Sequence, residues 1–120
     1  MDQLKDNIET FAEDKPLSEK EMEELLSVAS DMINVKALPC TACHYCTSQC
    51  PQGLDIPELI KLYNEHCFTD GGFIAPMALM AFPKDKLPSA CIGCRSCEAV
   101  CPQQIKISEA MSDFARKTGM

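Results

Sequence analysis

Two cysteine runs with the same spacing constrain this chain of 120 residues more than any other feature. Both follow the pattern C-x2-C-x2-C-x3-C-P, and they end at Pro51 and Pro102. The runs contain eight of the nine cysteines: Cys40, Cys43, Cys46, Cys50, Cys91, Cys94, Cys97 and Cys101. One run of this kind can arise by chance, but two with identical spacing indicate that the thiols act together.

The repetition extends beyond the cysteines. Residues 40–66 align with residues 91–117 at an offset of 51 positions. The pairs that match outside the cysteines are Pro51/Pro102, Gln52/Gln103, Leu54/Ile105, Ile56/Ile107, Glu58/Glu109, Ile60/Met111 and Tyr63/Phe114. The sequence therefore predicts two related halves, each made of a cysteine run, a short connector and an amphipathic helix.

This cysteine spacing is the one that binds [4Fe–4S] clusters in bacterial ferredoxins. Cysteines three residues apart can surround one cubic core, whereas the fourth cysteine of each run serves the other cluster in two-cluster ferredoxins. We therefore predict a crossed assignment to two [4Fe–4S] clusters. The first is bound by Cys40, Cys43, Cys46 and Cys101, and the second by Cys91, Cys94, Cys97 and Cys50. Metal binding would then be coupled to folding, because each cluster joins both halves.

Three other uses of the thiols explain the pattern less well. Zinc ribbons pair two C-x2-C units and do not require a third and fourth cysteine followed by proline. Haem attachment matches C-x-x-C-H at Cys43-His44, but Arg95 replaces the histidine in the second run. A disulfide scaffold conflicts with the odd number of cysteines and with the charged N-terminal residues, which do not form a secretion signal. We expect a cytoplasmic protein.

The charge of the chain is concentrated near the start. Residues 1–24 contain nine acidic residues and three lysines, and the net charge of the whole chain is −7. This acidity argues against nucleic-acid binding, which needs a basic surface, and is compatible with docking on a basic redox partner. No segment reaches the roughly 20 apolar residues of a membrane-spanning helix.

Apolar periodicity and capping residues predict an all-α protein, since no alternating strand pattern is present. We expect a first helix at residues 2–12 and a second at about 18–34, begun by a capping box of Ser18 and Glu21. Each half then supplies one helix after its cysteine run, the first capped by Asp55 with Pro57 in its first turn, the second capped by Ser108 and ended by Gly119.

Two predictions concern burial between the runs. Cys67, the ninth cysteine, lies on the apolar stripe of the helix after Asp55, and we expect it to be a small core residue. Residues 73–82 are predicted to include a short helix that opens near Pro76. Its large side chains, Met77, Leu79, Met80 and Phe82, are expected in the core rather than on a docking surface.

The two runs, separated by about forty residues of helix, resemble the α-helical ferredoxin fold. Similar modules transfer electrons in succinate dehydrogenase iron–sulfur subunits, heterodisulfide reductases and dihydropyrimidine dehydrogenase. The resemblance implies two pseudo-symmetric cluster-binding halves at residues 38–120, preceded by a helical lead-in at residues 1–37.

A closer resemblance involves the lead-in as well. Residues 3–7 and 17–21, followed by Leu38-Pro39-Cys40 and the residues up to Pro57, are similar to the C-terminal region of bacterial aldo/keto reductase-family proteins that end in a ferredoxin-type domain. The reductase barrel with its nicotinamide site and catalytic residues has no counterpart here. The lead-in would then be the end of that barrel or a linker from it, and no catalytic residue can be transferred to this chain.

Three functional hypotheses follow. The first is an electron-transfer module that is not an enzyme by itself and serves a redox partner or an attached flavin or nicotinamide domain. The second is a structural or regulatory cluster domain that stabilises an attached enzyme or senses for it. The third is an interaction module that recruits a partner through the acidic helix at 18–34. Within the first hypothesis, Arg95 stands at the position of His44 in the other run and is expected to raise the reduction potential of its cluster.

Overall fold

The computed structural model describes residues 2–33 and 37–120, and all the regular secondary structure within them is helical. The α-helices are α1 (Asp2–Thr10), α2 (Glu19–Ile33), α3 (Ile56–Phe68), α4 (Ile74–Leu79) and α5 (Ile107–Thr118). Three 3-10 turns lie at Thr47–Gln49, Lys84–Lys86 and Pro88–Ala90. The all-α prediction is confirmed for these residues. In the same part of the chain, no helix is long and apolar enough to cross a membrane.

The chain divides into two units, Met1–Asn34 and Val35–Met120. In the first unit, α2 begins with the predicted capping box: Glu21 N–H donates to Ser18 Oγ (3.4 Å), and Ser18 N–H donates to the Glu21 carboxylate (2.8 Å). These bonds satisfy backbone donors that the first turn of a helix leaves free. The helix predicted at 18–34 is therefore present, although Asn34 lies outside the described residues.

The large apolar side chains that the structure describes in the first unit are exposed. Leu4, Ile8 and Phe11 of the N-terminal segment all face solvent, as do Leu25 and Leu26 of α2. The apolar stripe of α2 also includes Met32 and Ile33, whose side chains lie outside the described part of the chain. The periodicity correctly predicted the helices, but it does not bury the large apolar side chains that the structure describes in this unit.

In the second unit, α3 begins where the sequence predicts. Asp55 Oδ1 accepts a hydrogen bond from Glu58 N–H (3.4 Å), and Pro57 occupies the first turn, where a missing N–H costs nothing. The helix then buries Ile56, Leu59 and Ile60. Each fully buried side chain of this size contributes roughly 1.5–3 kcal/mol to folding.

The core is built from equivalent residues of the two halves. The buried members of the matched pairs are Leu54 and Ile105, Ile56 and Ile107, and Ile60 and Met111. Helices α3 and α5 pack together, and the equivalent rings of Tyr63 and Phe114 meet edge to face at a centroid distance of 5.6 Å. The duplication thus forms two halves around one core.

Helix α4 corrects part of the predicted core. Leu79 is buried and Phe82 is partly buried, as expected, but 61% of Met77 and 79% of Met80 is exposed. The reason is geometric: a helix of six residues directs only one face toward α3, and Ala75 and Leu79 occupy that face. The prediction that Met77 and Met80 belong to the core is wrong.

The start of α5 also differs from the prediction. Lys106 is the N-cap residue, and Ser108 lies inside the first turn. Its backbone N–H and its Oγ both donate to the Glu98 carboxylate, at 2.8 and 2.5 Å. A residue of the second cysteine run therefore caps the helix, and the prediction of Ser108 as cap is wrong. Gly119 ends the helix with φ of 71°, as expected.

Cys67 is the third correction. Its side chain is partly exposed and not a core residue, and the buried ring of Phe114 on α5 packs on the neighbouring His66 instead. One turn further along α5, Lys117 places its Nζ 3.6 Å from Cys67 Sγ. Cys67, in the last turn of α3, thus lies beside a charged side chain, whereas the apolar stripe predicted that it would be buried in the core.

Candidate functional site

The cysteines of the two runs line two separate pockets in the second unit. The first pocket contains the first three cysteines of run one together with the last cysteine of run two: Cys40, Cys43, Cys46 and Cys101. The second pocket contains the complementary set: Cys50, Cys91, Cys94 and Cys97. The fold therefore brings together all eight predicted ligand residues, in two groups of four that each draw on both runs.

The first cysteine run contains a short turn. After Cys46 the chain makes a single 3-10 turn, and Cys50 is extended with ψ of 112°. That extended residue leaves the turn at an angle, so its thiol belongs to a different pocket from the first three. Proline follows directly, where no N–H is available to continue the helix.

Backbone conformation repeats between the halves. Ala42 and Gly93 have positive φ angles of 51° and 68°, and His44 and Arg95 have 63° and 61°. Each pair is related by the same offset of 51 positions. Left-handed residues are uncommon outside glycine, so four of them at matched places show that both loops bend around their pockets in the same way.

The thiols differ in environment within each run. Cys46 and Cys97 are buried, whereas Cys43 and Cys94 are exposed. Burial raises the pKa of Cys46, and it raises the pKa of Cys97 to about 11, with a further contribution from the nearby Glu98 charge. Both thiols therefore hold their protons at neutral pH, and a metal that bound them would have to displace those protons.

The two pockets differ in charge. Arg95 lines the second pocket at the position that His44 occupies in the first. Close to the second pocket, Lys86 Nζ also donates to the backbone carbonyl of Gln52 (2.5 Å), which lies two residues after Cys50. The second pocket thus has two cations close to it, in addition to the Glu98 carboxylate beside Cys97.

The two runs also differ in the contacts that attach each of them to the helix that follows it. Glu98 holds the start of α5, and burial alone would raise its pKa, but the hydrogen bonds from Ser108 outweigh burial and lower it. The equivalent residue of run one is Thr47, whose Oγ1 is buried with no partner in the described part of the chain. Its counterpart helix carries Pro57 at the place of Ser108, and proline has no N–H to donate.

Run one is anchored from its other end. Leu38 and Asn64 form two hydrogen bonds, from Leu38 N–H to Asn64 Oδ1 (2.7 Å) and from Asn64 Nδ2 to Leu38 O (2.8 Å). They fix the chain to α3 two residues before Cys40. Sequence reasoning missed these contacts and those of Glu98 and Lys86, because nothing in the local pattern identifies partners 10 to 34 residues away.

The residues present fit a [4Fe–4S] core in each pocket. Each pocket offers four thiols, and its other walls include apolar side chains such as Ile60 in the first and Leu54 and Met111 in the second. Among residues 2–33 and 37–120, no three His, Cys, Asp or Glu side chains converge on one point, as a single metal ion would require. A core of four irons needs thiols that are spread around it, because each iron takes its own thiolate.

Comparison with known proteins agrees with this chemistry. Residues 39–105 match the family model described as a 4Fe-4S dicluster domain. Curated relatives include the acetyl-CoA decarbonylase/synthase complex subunit alpha 1 of Methanosarcina acetivorans, 33% identical over 78 residues, and that of Methanosarcina mazei, 35% identical over 78 residues. The same subunit of Methanosarcina barkeri is 34% identical over 80 residues. No solved structure matches.

The matched regions are a large part of this chain and a small part of the relatives. They cover 65–67% of this chain and 8% of each relative. The similarity therefore covers only a small part of each of those subunits. These comparisons give no support to attachment to an aldo/keto reductase, which stays a prediction from the lead-in residues.

Proposed function

Because this chain belongs to the 4Fe-4S dicluster domain family, we propose that it is an electron-transfer module whose two clusters share ligands across the two runs. The observation that carries the proposal is the composition of the two pockets, each of which takes three thiols from one run and one from the other. When bound, a [4Fe–4S] core accepts and releases one electron at a time.

The protein contributes the ligands, their spacing and the electrostatic environment. Run one supplies the three clustered thiols Cys40, Cys43 and Cys46, and Cys101 completes the set. Run two supplies Cys91, Cys94 and Cys97, and Cys50 completes that set. Burial of the inner thiols and their packing on the core exclude water from one side of each site. Reduced solvent exposure and nearby charge are the main means by which a protein sets a cluster potential.

Charge favours one direction of internal transfer. Arg95 and Lys86 place positive charge near the second pocket, and a cation stabilises the added electron of a reduced cluster. We expect the second site to have the higher potential and to hold the electron longer. Exposed Cys43 and Cys94 lie at the outer edges of their pockets, where a redox partner can approach both sites.

The ligand assignment is tested by comparing variants in pairs. With crossed ligands, Cys101→Ser perturbs the same electron paramagnetic resonance signal as Cys43→Ser, and Cys50→Ser perturbs the same signal as Cys94→Ser. With uncrossed ligands the pairs exchange: Cys101→Ser then behaves like Cys94→Ser, and Cys50→Ser like Cys43→Ser. The matched controls Cys43 and Cys94 are both exposed, so differences in burial do not confuse the comparison.

The function itself is tested on protein prepared without oxygen. We expect about eight iron atoms per chain, four for each core, and reversible one-electron reduction. Iron that binds but never accepts an electron would contradict electron transfer and would favour the second hypothesis, a structural cluster domain. That alternative is supported by the contact of cysteines from both runs with one hydrophobic core, through which loss of metal would loosen both halves.

The larger protein that uses the module is a separate proposal. The relatives are subunits of an acetyl-CoA decarbonylase/synthase complex, and the lead-in resembles aldo/keto reductase-family proteins; both point to a cluster domain that serves a larger oxidoreductase. Co-purification from the native source, with identification of the flavin, nicotinamide or metal protein retained, distinguishes the two associations. An isolated, freely diffusing cluster protein would contradict both.

A further inference from the structure

We propose that Ile107 forms a wall shared by the two cluster sites, so that one side chain tunes both clusters. This role of Ile107 rests on the electron-transfer function proposed above. Within residues 2–33 and 37–120, Ile107 is the one residue that lines both cysteine pockets. It is the first residue of α5, only 1% of its surface is exposed, and it belongs to the same buried core as Cys46 and Cys97, the inner thiols of the two pockets. A single apolar side chain therefore borders both sets of ligands.

The internal repeat does not account for the whole of this position. Matched residues such as Leu54 and Ile105 lie in opposite pockets, the first in the second pocket and the second in the first. By the same rule Ile56, the counterpart of Ile107, lines only the second pocket. Ile107 lines the first pocket, as the repeat predicts, and in addition it reaches the second. The shared wall is thus a feature of one half of the molecule.

Contacts with run two fix the start of α5 and with it Ile107. The next residue, Ser108, donates from its backbone N–H and its Oγ to the Glu98 carboxylate, at 2.8 and 2.5 Å. Helix α5 also packs on the 3-10 turn Pro88–Ala90, which directly precedes run two. Thr47, the equivalent of Glu98 in run one, makes no such side-chain contact in the described part of the chain. Because isoleucine in a helix has one strongly preferred rotamer, this wall has a defined place.

An apolar wall matters to a cluster because it keeps polar groups and water away from the charge of the reduced state. The added electron makes the cluster more negative, so a hydroxyl dipole beside it favours the reduced form and raises the reduction potential. At a residue that lines one pocket, such a dipole acts mainly on one cluster. At Ile107 it acts on two clusters at once.

Three isoleucines, each 1% exposed, allow a matched test. Ile60 lines only the first pocket, Ile56 lines only the second, and Ile107 lines both. Each is changed to valine and to threonine, which have nearly the same shape and differ by a hydroxyl group. Comparing threonine with valine at one position separates the effect of the hydroxyl from that of the lost methylene. Anaerobic redox titrations of the cluster-loaded protein, followed by electron paramagnetic resonance, measure the two midpoint potentials.

We expect Ile107→Thr to raise both midpoints relative to Ile107→Val. Ile60→Thr should raise one midpoint and Ile56→Thr the other, each relative to its valine variant. A purely structural role would not produce this pattern, because the three side chains are equally buried. Reversible reduction in which Ile107→Thr shifts only one midpoint, or neither, would overturn the proposal and leave electron transfer intact.

A second readout keeps the role of Ile107 separate from the electron-transfer function. Resonance Raman spectra of the oxidised protein require no reduction, and a hydroxyl near the sulfurs of a cluster shifts its iron–sulfur stretching bands. The bands altered in Ile60→Thr and those altered in Ile56→Thr should both change in Ile107→Thr. Clusters that never reduce would contradict electron transfer, and the Raman comparison would still decide the shared wall: a change in only one of the two sets of bands would overturn it.

Discussion

The aromatic contact between the two halves gives the sharpest stability prediction. Phe114 is completely buried, and its ring meets Tyr63 at 5.6 Å and His66 at 6.0 Å. A buried aromatic side chain removes roughly 150–250 Å² from water, which at about 25 cal/mol per Å² corresponds to about 4–6 kcal/mol. Truncation also leaves a cavity, and measured Phe→Ala changes in cores cost about 3–5 kcal/mol. We therefore expect Phe114→Ala to lower the free energy of unfolding by about 4 kcal/mol.

The matched control is Phe68→Ala at the end of α3, where 73% of the ring is exposed. For a unit the size of Val35–Met120, each kcal/mol shifts the midpoint of thermal unfolding by roughly 4–8 °C. Phe114→Ala should then melt at least about 15 °C below the parent, whereas Phe68→Ala should change by less than about 4 °C.

The assay is anaerobic thermal unfolding of cluster-loaded protein, followed by far-ultraviolet circular dichroism at one heating rate. Bound clusters make the transition more than two-state, so midpoints are compared between variants and not converted into absolute free energies. Equal shifts in the two variants would refute the argument that this ring joins the halves. Equal shifts are what we would expect if the clusters alone held the two halves together.

Three further predictions use polar contacts. The hydrogen bond from Lys117 lowers the pKa of Asp113, so this carboxylate stabilises the fold at pH above its ordinary value of 3.8, and Asp113→Asn should cost about 1–2 kcal/mol at pH 7. The difference in unfolding midpoint from the parent should shrink as the pH falls through the lowered pKa, and a pH-independent difference would contradict this explanation. Glu98→Ala should cost about 1–2 kcal/mol by removing the cap of α5, while Glu109→Ala, exposed on the same helix, should leave the midpoint unchanged. In redox titrations, Arg95→Ala should lower one of the two cluster potentials, and two unchanged midpoints would remove the proposed role of Arg95.

Local patterns in the sequence were sufficient for much of the fold. The capping box at Ser18, the cap at Asp55 and the stop at Gly119 are short-range signals, in which the residues that interact are at most three or four positions apart. The internal repeat predicted that equivalent helices would follow each run. Such signals depend on backbone geometry that the neighbouring residues determine almost alone.

Predictions failed where a residue from elsewhere in the chain decided the outcome. Ser108 was predicted to cap α5, but Glu98 reaches it from the second cysteine run. Cys67 lies on an apolar stripe, yet it faces Lys117, which is 50 residues away. Met77 and Met80 are apolar but exposed, because a two-turn helix has too little surface to bury all its large side chains.

The sequence by itself predicted the chemistry: the spacing of the eight cysteines is typical of [4Fe–4S] ligands, and ligand type and local spacing are covalent properties of the chain. In the tertiary structure, Cys50 and Cys101 each line the pocket of the opposite run, which is the grouping that the cysteine spacing had predicted. Only the tertiary structure decided that Lys86 lies close to the second pocket, where it adds to the charge of Arg95 that the sequence already places in run two. The physical reason is that burial, charge and long-range contacts depend on distances between residues remote in sequence, and these distances exist only in the folded chain.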